Sequence, residues 1–394
     1  MDSGLADRIL KHVRGQAESF VDLTRRLVEA ESPSSLPEAQ REARHILMAA
    51  LGGLGLEVLE LGAPGIPRHV YAHVPARRRG APIQLILGHY DTVWPLGTVT
   101  ERPFRVDGNV LEGPGVFDMK GGLAQLVVAL GALRDLGLQP TLTPVIFVNA
   151  DEETGSRSST RFIRRLARHA NRALVLEPAL GRRGRIKIAR KGIGRFTVTV
   201  FGKAAHAGLD PEDGASAILE LAHVIQALFA MNDPERGITV NVGTVYGGVQ
   251  PNVIAPHGGA VIDVRVPTLA DGAAIEARIH AIRPRVAGVR LHIEGSIGRP
   301  SMEPTARNEA LWNQAQQLGE LLGLELDGAK VGGGSDGNTT SQYTATLDGL
   351  GPVGRGAHAE HECLYVDRTL ERAALLAMLL LSPAVSQAAA GGDP

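Results

Sequence analysis

A histidine and an aspartate, two positions apart, follow a short apolar run. Residues 83–87 read as a buried strand that ends at Gly88, after which come His89 and Asp91. Side chains at positions i and i+2 leave a strand on the same side, so we expect an imidazole beside a carboxylate at the carboxyl end of a core strand. Such a carboxylate can orient a metal-binding histidine. Taken alone, the pair is more often a polar turn that ends a strand.

Further polar side chains stand where other predicted elements begin or end. They are Asp151, Glu152 and Glu153 after the strand 144–149, Glu177 after the strand 173–176, Asp118 before a helix that begins at Met119, and His358 in a late polar loop. Carboxylates that meet at one sheet edge repel each other, and a pair of divalent cations would keep them ionised. Two imidazoles with carboxylates suit zinc, and a shared carboxylate holds two metals about 3.5–4 Å apart.

Each of these residues also has a simpler structural interpretation. Asp118 could be a helix N-cap, the pair Glu152 and Glu153 a solvated turn, and Glu177 an ordinary strand end. The combination favours a metal site, because a Gly-Pro-Gly turn precedes Asp118 and the acidic residues all fall at the same edge of the predicted sheet.

The elements that would position these residues alternate between strand and helix through the first half of the chain, which predicts an α/β fold. From residue 192 the order becomes β-α-β-β-α-β, a ferredoxin-like unit, and the helical pattern resumes after Pro304. We therefore expect one α/β domain formed by 1–191 and 304–394, interrupted by an inserted domain at 192–303. A basic hairpin tip is expected at 77–80 and a disordered tail at 388–394.

Composition excludes several classes of function. The chain has 394 residues and a formal net charge of −1, so nothing favours nucleic acid or an anionic membrane as a partner. We expect no apolar stretch of membrane-spanning length, the longest being 373–381. Cys363 is the single cysteine, which rules out an intrachain disulfide. The first residues lack a basic stretch followed by an apolar run, so we expect a cytoplasmic protein unless a secretory signal has been removed.

Three motifs in order resemble those of the zinc aminopeptidase–aminoacylase metallopeptidase family. They are Gly-His-Tyr-Asp-Thr-Val at 88–93, Gly-Pro-Gly-Val-Phe-Asp-Met-Lys-Gly-Gly at 113–122 and Asp-Glu-Glu-Thr-Gly-Ser at 151–156. The family includes glutamate carboxypeptidases, acetylornithine deacetylases and succinyl-diaminopimelate desuccinylases. The run 88–98 with Pro-Phe-Arg-Val-Asp-Gly at 103–108 is most similar to the glutamate carboxypeptidase branch. The resemblance covers nearly the whole chain and implies a mixed-sheet, di-zinc exopeptidase-like domain with an inserted lid and dimerisation domain.

The resemblance implies a role for each polar residue and two zinc ions per chain. His89 and Glu177 would bind one zinc, Glu153 and His358 the other, and Asp118 would bridge them. Asp91 would orient His89, and Glu152 would be the general base. The late loop also holds His361, but the family spacing of a glutamate four residues after the histidine selects His358 with Glu362. Cys363 could be a soft ligand, although a free cysteine is more often core packing.

The inserted domain and a later glycine-rich loop carry the substrate contacts that the resemblance implies. His206 matches the lid histidine that polarises the scissile carbonyl, supplied by the partner subunit in dimeric members. Asn252 and Arg265 match contacts to a substrate carboxylate, and Gly334 and Asp336 belong to a loop that approaches the substrate backbone. The alternatives are an exposed turn histidine for His206 and a strand-end surface charge for Arg265. Arg185 and Lys187 share a predicted strand face and could receive an acidic side chain or be solvated charges.

The resemblance thus implies a metallocarboxypeptidase that cleaves an amide next to a free carboxylate, in the manner of glutamate carboxypeptidases. An N-acyl-amino-acid deacylase or desuccinylase on the same scaffold is the alternative among enzymes. A non-catalytic, metal-bound dimeric scaffold is the alternative of another class, and it would require a lost ligand or base. The expected partners are a small peptide or N-acyl amino acid and a second copy of the chain, paired through the inserted domain.

Overall fold

A computed structural model of the protein describes residues 1–63, 65–75 and 80–385. The predicted hairpin tip falls largely outside the described residues, and the predicted disordered tail falls wholly outside them. The strands of the described residues, in chain order, are β1 (Glu57–Leu61), β2 (His69–His73), β3 (Ile83–His89), β4 (Arg105–Asp107), β5 (Val110–Glu112), β6 (Thr143–Asn149), β7 (Arg172–Val175), β8 (Ile186–Arg190), β9 (Gly192–Phe201), β10 (Thr239–Gly247), β11 (His257–Val266), β12 (Arg290–Arg299), β13 (Gly328–Val331), β14 (Ala345–Leu347), β15 (Gly354–Arg355) and β16 (Cys363–Tyr365).

The α-helices account for most of the remaining regular structure. They are α1 (Ser3–Arg14), α2 (Ala17–Glu29), α3 (Arg41–Gly52), α4 (Thr98–Glu101), α5 (Gly121–Asp135), α6 (Thr160–Ala167), α7 (Ala217–Phe229), α8 (Leu269–His280), α9 (Ala306–Leu321), α10 (Asp336–Thr340) and α11 (Val366–Leu381). The chain divides into two compact units, the first formed by 1–188, 304–330 and 335–394, and the second by 189–303 and 331–334. The second unit thus includes a short segment, 331–334, that lies beyond the range predicted for the inserted domain.

The first unit is built on a six-stranded mixed sheet with the order β1-β2-β6-β3-β7-β14. β3 pairs in parallel with both β6 and β7, whereas β2 joins β6 in antiparallel fashion. All seven residues of β3 are buried, as expected for a central parallel strand covered on both faces. Alternate residues face different clusters, since Leu85 and Leu87 belong to one apolar core and Ile86 to the other.

Two apolar helices, α5 and α11, lie in the larger core of this unit. Leu123, Leu126 and Ala129 of α5 are fully buried, as are Leu375 and Leu379 of α11. The expectation that no apolar stretch reaches spanning length is wrong for Val116–Asp135, which is 20 residues long and sufficiently apolar. However, 78% of its most apolar window is buried in the protein, and a buried core helix meets the same length and composition criteria.

The second unit has the order β9-α7-β10-β11-α8-β12 and a four-stranded antiparallel sheet, β10-β11-β9-β12. Burial alternates along β9, because one face of the sheet is covered by helices. Leu221 and Val224 of α7 and Ile275 of α8 share a core with Val198 and Ile262 of the strands. β10 lies at one edge of this sheet and leaves Val245 and Tyr246 more than half exposed.

Candidate metal centre

The predicted acidic edge of the sheet is formed by three neighbouring parallel strands. His89 is the last residue of β3, which lies between β6 and β7. Glu152 and Glu153 stand in a short 3₁₀ turn that follows β6, and Glu177 comes two residues after β7. Since β6, β3 and β7 run in the same direction, their carboxyl ends meet at one place, and the polar side chains that follow them meet there too.

His89 lies at the centre of this group and is 1% exposed. Its Nε2 atom is 3.2 Å from Oδ1 of Asp118 and 3.5 Å from Oε1 of Glu177. The atoms that could bind a cation lie within 4.8 Å of one another in two groups, one of His89, Glu152 and Glu177 and the other of His89, Asp118 and Glu153. The first group places Glu152 beside the predicted ligands, close enough to act on a molecule held there.

Asp118 stands between the two histidines and faces each with a different oxygen atom. Its Oδ1 faces His89, and its Oδ2 is 3.5 Å from Nε2 of His358. The same nitrogen of His358 is 3.1 Å from Oε2 of Glu153. His358 has a φ of 60°, a left-handed conformation that costs a non-glycine residue about 1–2 kcal/mol, so the surrounding loop must hold it. A carboxylate with one oxygen toward each imidazole is the arrangement that a bridging ligand requires.

Asp91 is fully buried and holds the loop that follows β6. Its carboxylate accepts the backbone N–H groups of Glu152 and Glu153, each at 3.2 Å, and the hydroxyl of Ser34 at 2.6 Å. The Nδ1 atom of His89 is 3.0 Å from the carbonyl oxygen of Asp91 and 3.5 Å from its carboxylate. Asp91 therefore touches both the imidazole and the acidic turn, and the contribution of Ser34 was not foreseen from the sequence.

Glu362 organises the loop that carries Asp118, a role that the sequence analysis did not assign. Its Oε1 accepts the backbone N–H groups of Phe117 and Asp118, both at 2.9 Å. Its Oε2 accepts the N–H of Gly115 and the indole N–H of Trp94, both at 2.8 Å. The one sequence feature that could have pointed to this role was the spacing of four residues from His358. Cys363, the next residue, is buried in β16 and belongs to neither group of ligand atoms found among the described residues.

The charges of this cluster are poorly balanced without a cation. Burial opposes a charge on the His89 imidazole, yet contacts with Asp118, Asp91 and Glu177 outweigh it and hold the pKa of His89 well above its ordinary value. Burial raises the pKa of Glu153, and the hydrogen bond with Glu153 raises the pKa of His358 to about 9. Without a cation, His89, Glu153 and His358 therefore tend to keep their protons, because several carboxylates lie close together. Two imidazoles and three carboxylates, Asp118, Glu153 and Glu177, form a donor set that fits two divalent cations.

Lys187 has a different environment from Arg185, although the two were predicted to share a strand face. The Nζ atom of Lys187 lies 3.6 Å from Oε2 of Glu177, beside the acidic cluster. Arg185 is exposed and lines a surface opening with Leu180 and Asp327. Of these two residues, Lys187 is the one whose charged group lies beside a predicted metal ligand.

His206, Asn252 and Arg265 all belong to the second unit. His206 is exposed, and its Nδ1 accepts the backbone N–H groups of Gly208 and Leu209, each at 3.1 Å. A neutral imidazole that accepts at Nδ1 carries its proton on Nε2, so His206 can donate a hydrogen bond there. The carbonyl of Asn252 accepts the N–H of Ala207 at 3.0 Å, which joins the segments that hold these two residues.

Arg265 and Gly334 form hydrogen bonds with other residues of the second unit. The Nε and Nη2 atoms of Arg265 donate to the two carboxylate oxygens of Asp263 at 2.8 and 3.1 Å, and its Nη1 is 3.5 Å from the carbonyl of Gly332. The carbonyl of Gly334 accepts a hydrogen bond from Arg190 at 3.2 Å. A substrate carboxylate at Arg265 would therefore compete with Asp263 or use Nη1.

Asp336, the other predicted substrate contact, is buried in the first unit at 5% exposure. Its carboxylate accepts hydrogen bonds from the Ser156 hydroxyl at 2.5 Å and from the Asn149 amide at 2.7 Å. Ser156 ends the acidic turn and has a left-handed φ of 55°. Asp336 thus supports the backbone that presents Glu152 and Glu153.

Comparison with known protein families shows to which family the chain belongs. The model of peptidase family M20/M25/M40 matches residues 85–382, which include the five predicted ligands. The chain belongs to this family. M20/M25/M40 peptidases are metal-dependent hydrolases, so the chain is a metallopeptidase or amidohydrolase with an α/β fold built on a mixed sheet.

The chain has relatives among both the carboxypeptidases and the desuccinylases. The chain is 29% identical over 355 residues to carboxypeptidase G2 of Pseudomonas sp. (strain RS-16), covering 87% of this chain and 83% of that one. It is 25% identical over 385 residues to succinyl-diaminopimelate desuccinylase of Dechloromonas aromatica (strain RCB), covering 92% and 98%. The resemblance inferred from the three motifs is therefore confirmed at the level of the family.

Solved structures of M20 peptidases share the fold. Aminopeptidase PepT from Bacillus cereus ATCC 10987 superposes with a TM-score of 0.78 at 23% identity, over 92% of this chain and 98% of that one. The YXEP protein of Bacillus subtilis, described as a dinuclear metal-binding peptidase of the M20 family, gives a TM-score of 0.67 at 15% identity, over 93% and 98%.

Proposed function

We propose that this protein is a di-zinc exopeptidase that cleaves an amide bond next to a free carboxylate, in the manner of a glutamate carboxypeptidase. The observation that carries the proposal is Asp118, which faces His89 with one carboxylate oxygen and His358 with the other. Relatives named carboxypeptidase G2 and a structural neighbour described as dinuclear support the substrate class and the metal count.

His89 and Glu177 would hold one cation, Glu153 and His358 the other, and Asp118 both. When bound, such a pair lowers the pKa of a water molecule and stabilises negative charge that develops on the substrate's carbonyl oxygen. The remaining steps fall to the protein's own groups. Glu152, within 4.8 Å of the ligand atoms of His89 and Glu177, takes a proton from the attacking water and gives it to the nitrogen of the leaving amine.

We assign polarisation of the scissile carbonyl to His206, within a lid formed by the second unit. Hydrogen bonds at Nδ1 leave its Nε2 as a donor, which is the form needed to stabilise an oxyanion. Asn252 and Arg265, with Gly334, would bind the substrate's carboxylate and backbone. Replacing His206 with alanine should lower kcat and leave the metal content of the protein unchanged, since the residue is not among the proposed ligands.

The substrate class is tested with amides that differ on one side of the scissile bond at a time. N-benzoyl and dipeptide substrates ending in Glu, Asp, Ala or Leu are compared with N-succinyl amino acids. The rate measured with Glu152→Gln protein is subtracted as the background. A carboxypeptidase hydrolyses the amides with C-terminal glutamate fastest and tolerates changes in the acyl group. The relative named succinyl-diaminopimelate desuccinylase favours the alternative of an N-acyl deacylase. Preference for one acyl group, with tolerance of the amine side, would replace our proposal with that alternative.

We also propose that two copies of the chain form a dimer through the second unit. β10 is an edge strand, and Val245 and Tyr246 on it are 55% and 52% exposed. On α7, Ile218 and Leu219 are 48% and 51% exposed. An edge strand and an apolar helix surface that stay uncovered invite pairing with another chain.

The dimer is tested by light scattering on the wild-type protein and on the Val245→Lys/Tyr246→Lys variant. We expect a dimer that the variant converts to a monomer. Leu59→Lys is the control, because Leu59 is 50% exposed on β1, an edge strand of the six-stranded sheet in the first unit. A monomeric wild type, or a variant that dimerises as well as the control, would remove the proposal.

A further inference from the structure

Five arginines line two adjoining surface openings of the first unit, which we call the arginine groove. They are Arg182, Arg183, Arg185, Arg368 and Arg372. The openings have volumes of about 570 and 490 Å³ and share Arg182, Arg183 and Asp327. None of the proposed metal ligands lines either opening, so the groove and the metal centre have no residue in common.

Arg372 is the buried end of the groove. It belongs to the core helix α11 and is 3% exposed. One of its terminal nitrogens, Nη2, donates to the carbonyl of Gly184, whereas Nη1 is buried and has no hydrogen-bond partner among the described residues. Burial lowers the pKa of the Arg372 guanidinium to about 10, so the group stays charged at neutral pH. A buried positive charge is costly unless a negative charge lies near it, and an anion in the groove would supply that charge.

The remaining charges of the groove leave an excess of positive charge. Three carboxylates also line it, Glu325, Asp327 and Glu371. Glu371 is shared between Arg368 at 3.2 Å and Arg14 at 3.3 Å. In the part of the chain that the structure describes, Arg182, Arg183 and Arg185 form no ion pair, and all three are exposed.

A tight hairpin turn presents these three arginines. Leu180 and Arg185 exchange both backbone hydrogen bonds, at 2.8 and 3.0 Å, and the turn between them is closed by Gly181 and Gly184. Both glycines have left-handed φ angles, 67° and 68°, which other residues rarely adopt. The turn also places the carbonyl of Gly184 on Arg372, which connects the exposed arginines to the buried one.

We propose that the arginine groove binds a phosphate-type oxyanion, either free or as the phosphoryl group of a small phosphomonoester. Guanidinium groups bind tetrahedral oxyanions through paired, charge-assisted hydrogen bonds, and several converging arginines are typical of phosphate recognition. The anion lies beside the guanidinium of Arg372 at the buried end and accepts hydrogen bonds from Arg182 and Arg183 at the mouth. The site is separate from the peptidase centre and does not depend on the substrate class proposed above.

Calorimetric titration of the metal-loaded enzyme tests this site, with inorganic phosphate and glycerol 3-phosphate as probes and chloride balancing the ionic strength. We expect saturable binding of phosphate to the wild-type protein. The Arg182→Ala/Arg183→Ala variant should bind at least about tenfold more weakly, because it loses charge-assisted hydrogen bonds to the anion. Binding of glycerol 3-phosphate with the same dependence on these arginines identifies a phosphomonoester site, and its failure to bind identifies a site for the free ion.

Arg164→Ala/Arg165→Ala is the matched control, since it removes the same charge from two exposed arginines of α6. This control should bind phosphate as the wild type does, and amide hydrolysis without phosphate should be equal in all three proteins. Arg372→Met, if it folds, should also lose binding, because it removes the buried guanidinium of the groove. No binding to the wild type, or equal binding by the Arg182→Ala/Arg183→Ala variant, overturns the proposal. The second result would show that Arg182 and Arg183 do not hold the anion.

Discussion

The Oε1 atom of Glu362 lies 2.9 Å from the backbone nitrogen of Asp118, the residue that stands between the two imidazoles. The same carboxylate also accepts the N–H groups of Gly115, Phe117 and Trp94. The 115–118 loop is irregular, and the peptide bond between Asp118 and Met119 is cis. Glu362 therefore satisfies backbone donors of this loop and ties it to the loop of His358, so that two of the proposed ligands are held by one buried side chain.

Replacing Glu362 with glutamine should weaken metal binding without removing a ligand. The amide end of glutamine cannot accept, so two of the four N–H groups lose their acceptor and the Asp118 loop shifts. We expect metal affinity to fall by about 10–100-fold, as for other partners that orient metal ligands. Affinity is measured by competition with a chelator. Glu360→Gln is the control, an exposed residue of the same loop, and equal affinities for the two variants would show that Glu362 has no orienting role.

Glu152→Gln should separate chemistry from metal binding. Glutamine keeps the size of the side chain but cannot take a proton from water, and loss of a general base costs about 10²–10⁴-fold in rate. We expect kcat to fall by this amount while the metal content, measured by atomic emission after dialysis, stays at two per chain. A variant that keeps wild-type turnover, or one that loses metal, would assign Glu152 a different role.

The two histidines of the late loop provide an internal comparison. His358 lies 3.1 Å from Glu153 and 3.5 Å from Asp118, whereas His361 is exposed and has no such contact among the described residues. His358→Ala should bind one metal fewer per chain and lose amide hydrolysis. His361→Ala should keep both metals and most of its activity. The reverse result would transfer the ligand role to His361.

Metal binding to the metal-free protein should release protons and strengthen as the pH rises. The hydrogen bond with Glu153 raises the pKa of His358 to about 9, so below that pH the imidazole holds a proton that a cation must displace. Apparent affinity should therefore increase between pH 7 and about pH 9. Calorimetry in buffers of different ionisation enthalpy measures the released protons. Affinity that does not change between pH 7 and 9 would contradict this account.

Substitution of Asp336 tests whether this residue supports the acidic turn or contacts the substrate. Asp336→Ala removes the carboxylate that accepts hydrogen bonds from the buried Ser156 hydroxyl and Asn149 amide, so the free energy of unfolding should fall by about 1–3 kcal/mol. Urea denaturation measures this change, with Asp107→Ala, an exposed residue of β4, as the control. An unchanged unfolding free energy together with a raised KM would instead support the predicted substrate contact.

The sequence alone determined which strands end in metal-binding groups. The apolar run before His89 and the spacing of His89, Asp91 and Glu177 follow from strand periodicity, and parallel neighbours bring such ends together whatever the details of packing. The order of helices and strands in the second unit could also be predicted from the sequence, because apolar residues recur at different intervals in helices and in strands. Resemblance to the family then predicted a ligand role for Asp118 and His358, which periodicity could not do.

The tertiary structure decided the contacts made by side chains in irregular segments. Glu362 reaches the 115–118 loop across more than 240 residues of sequence, and Arg372 reaches the hairpin turn at Gly184 across 188. Asp336, which stays a predicted substrate contact, is hydrogen-bonded to Ser156 of the acidic turn and to Asn149. No local period governs where a loop side chain points. That direction is set by hydrogen bonds and burial between segments distant in sequence, and these exist only once the chain has folded.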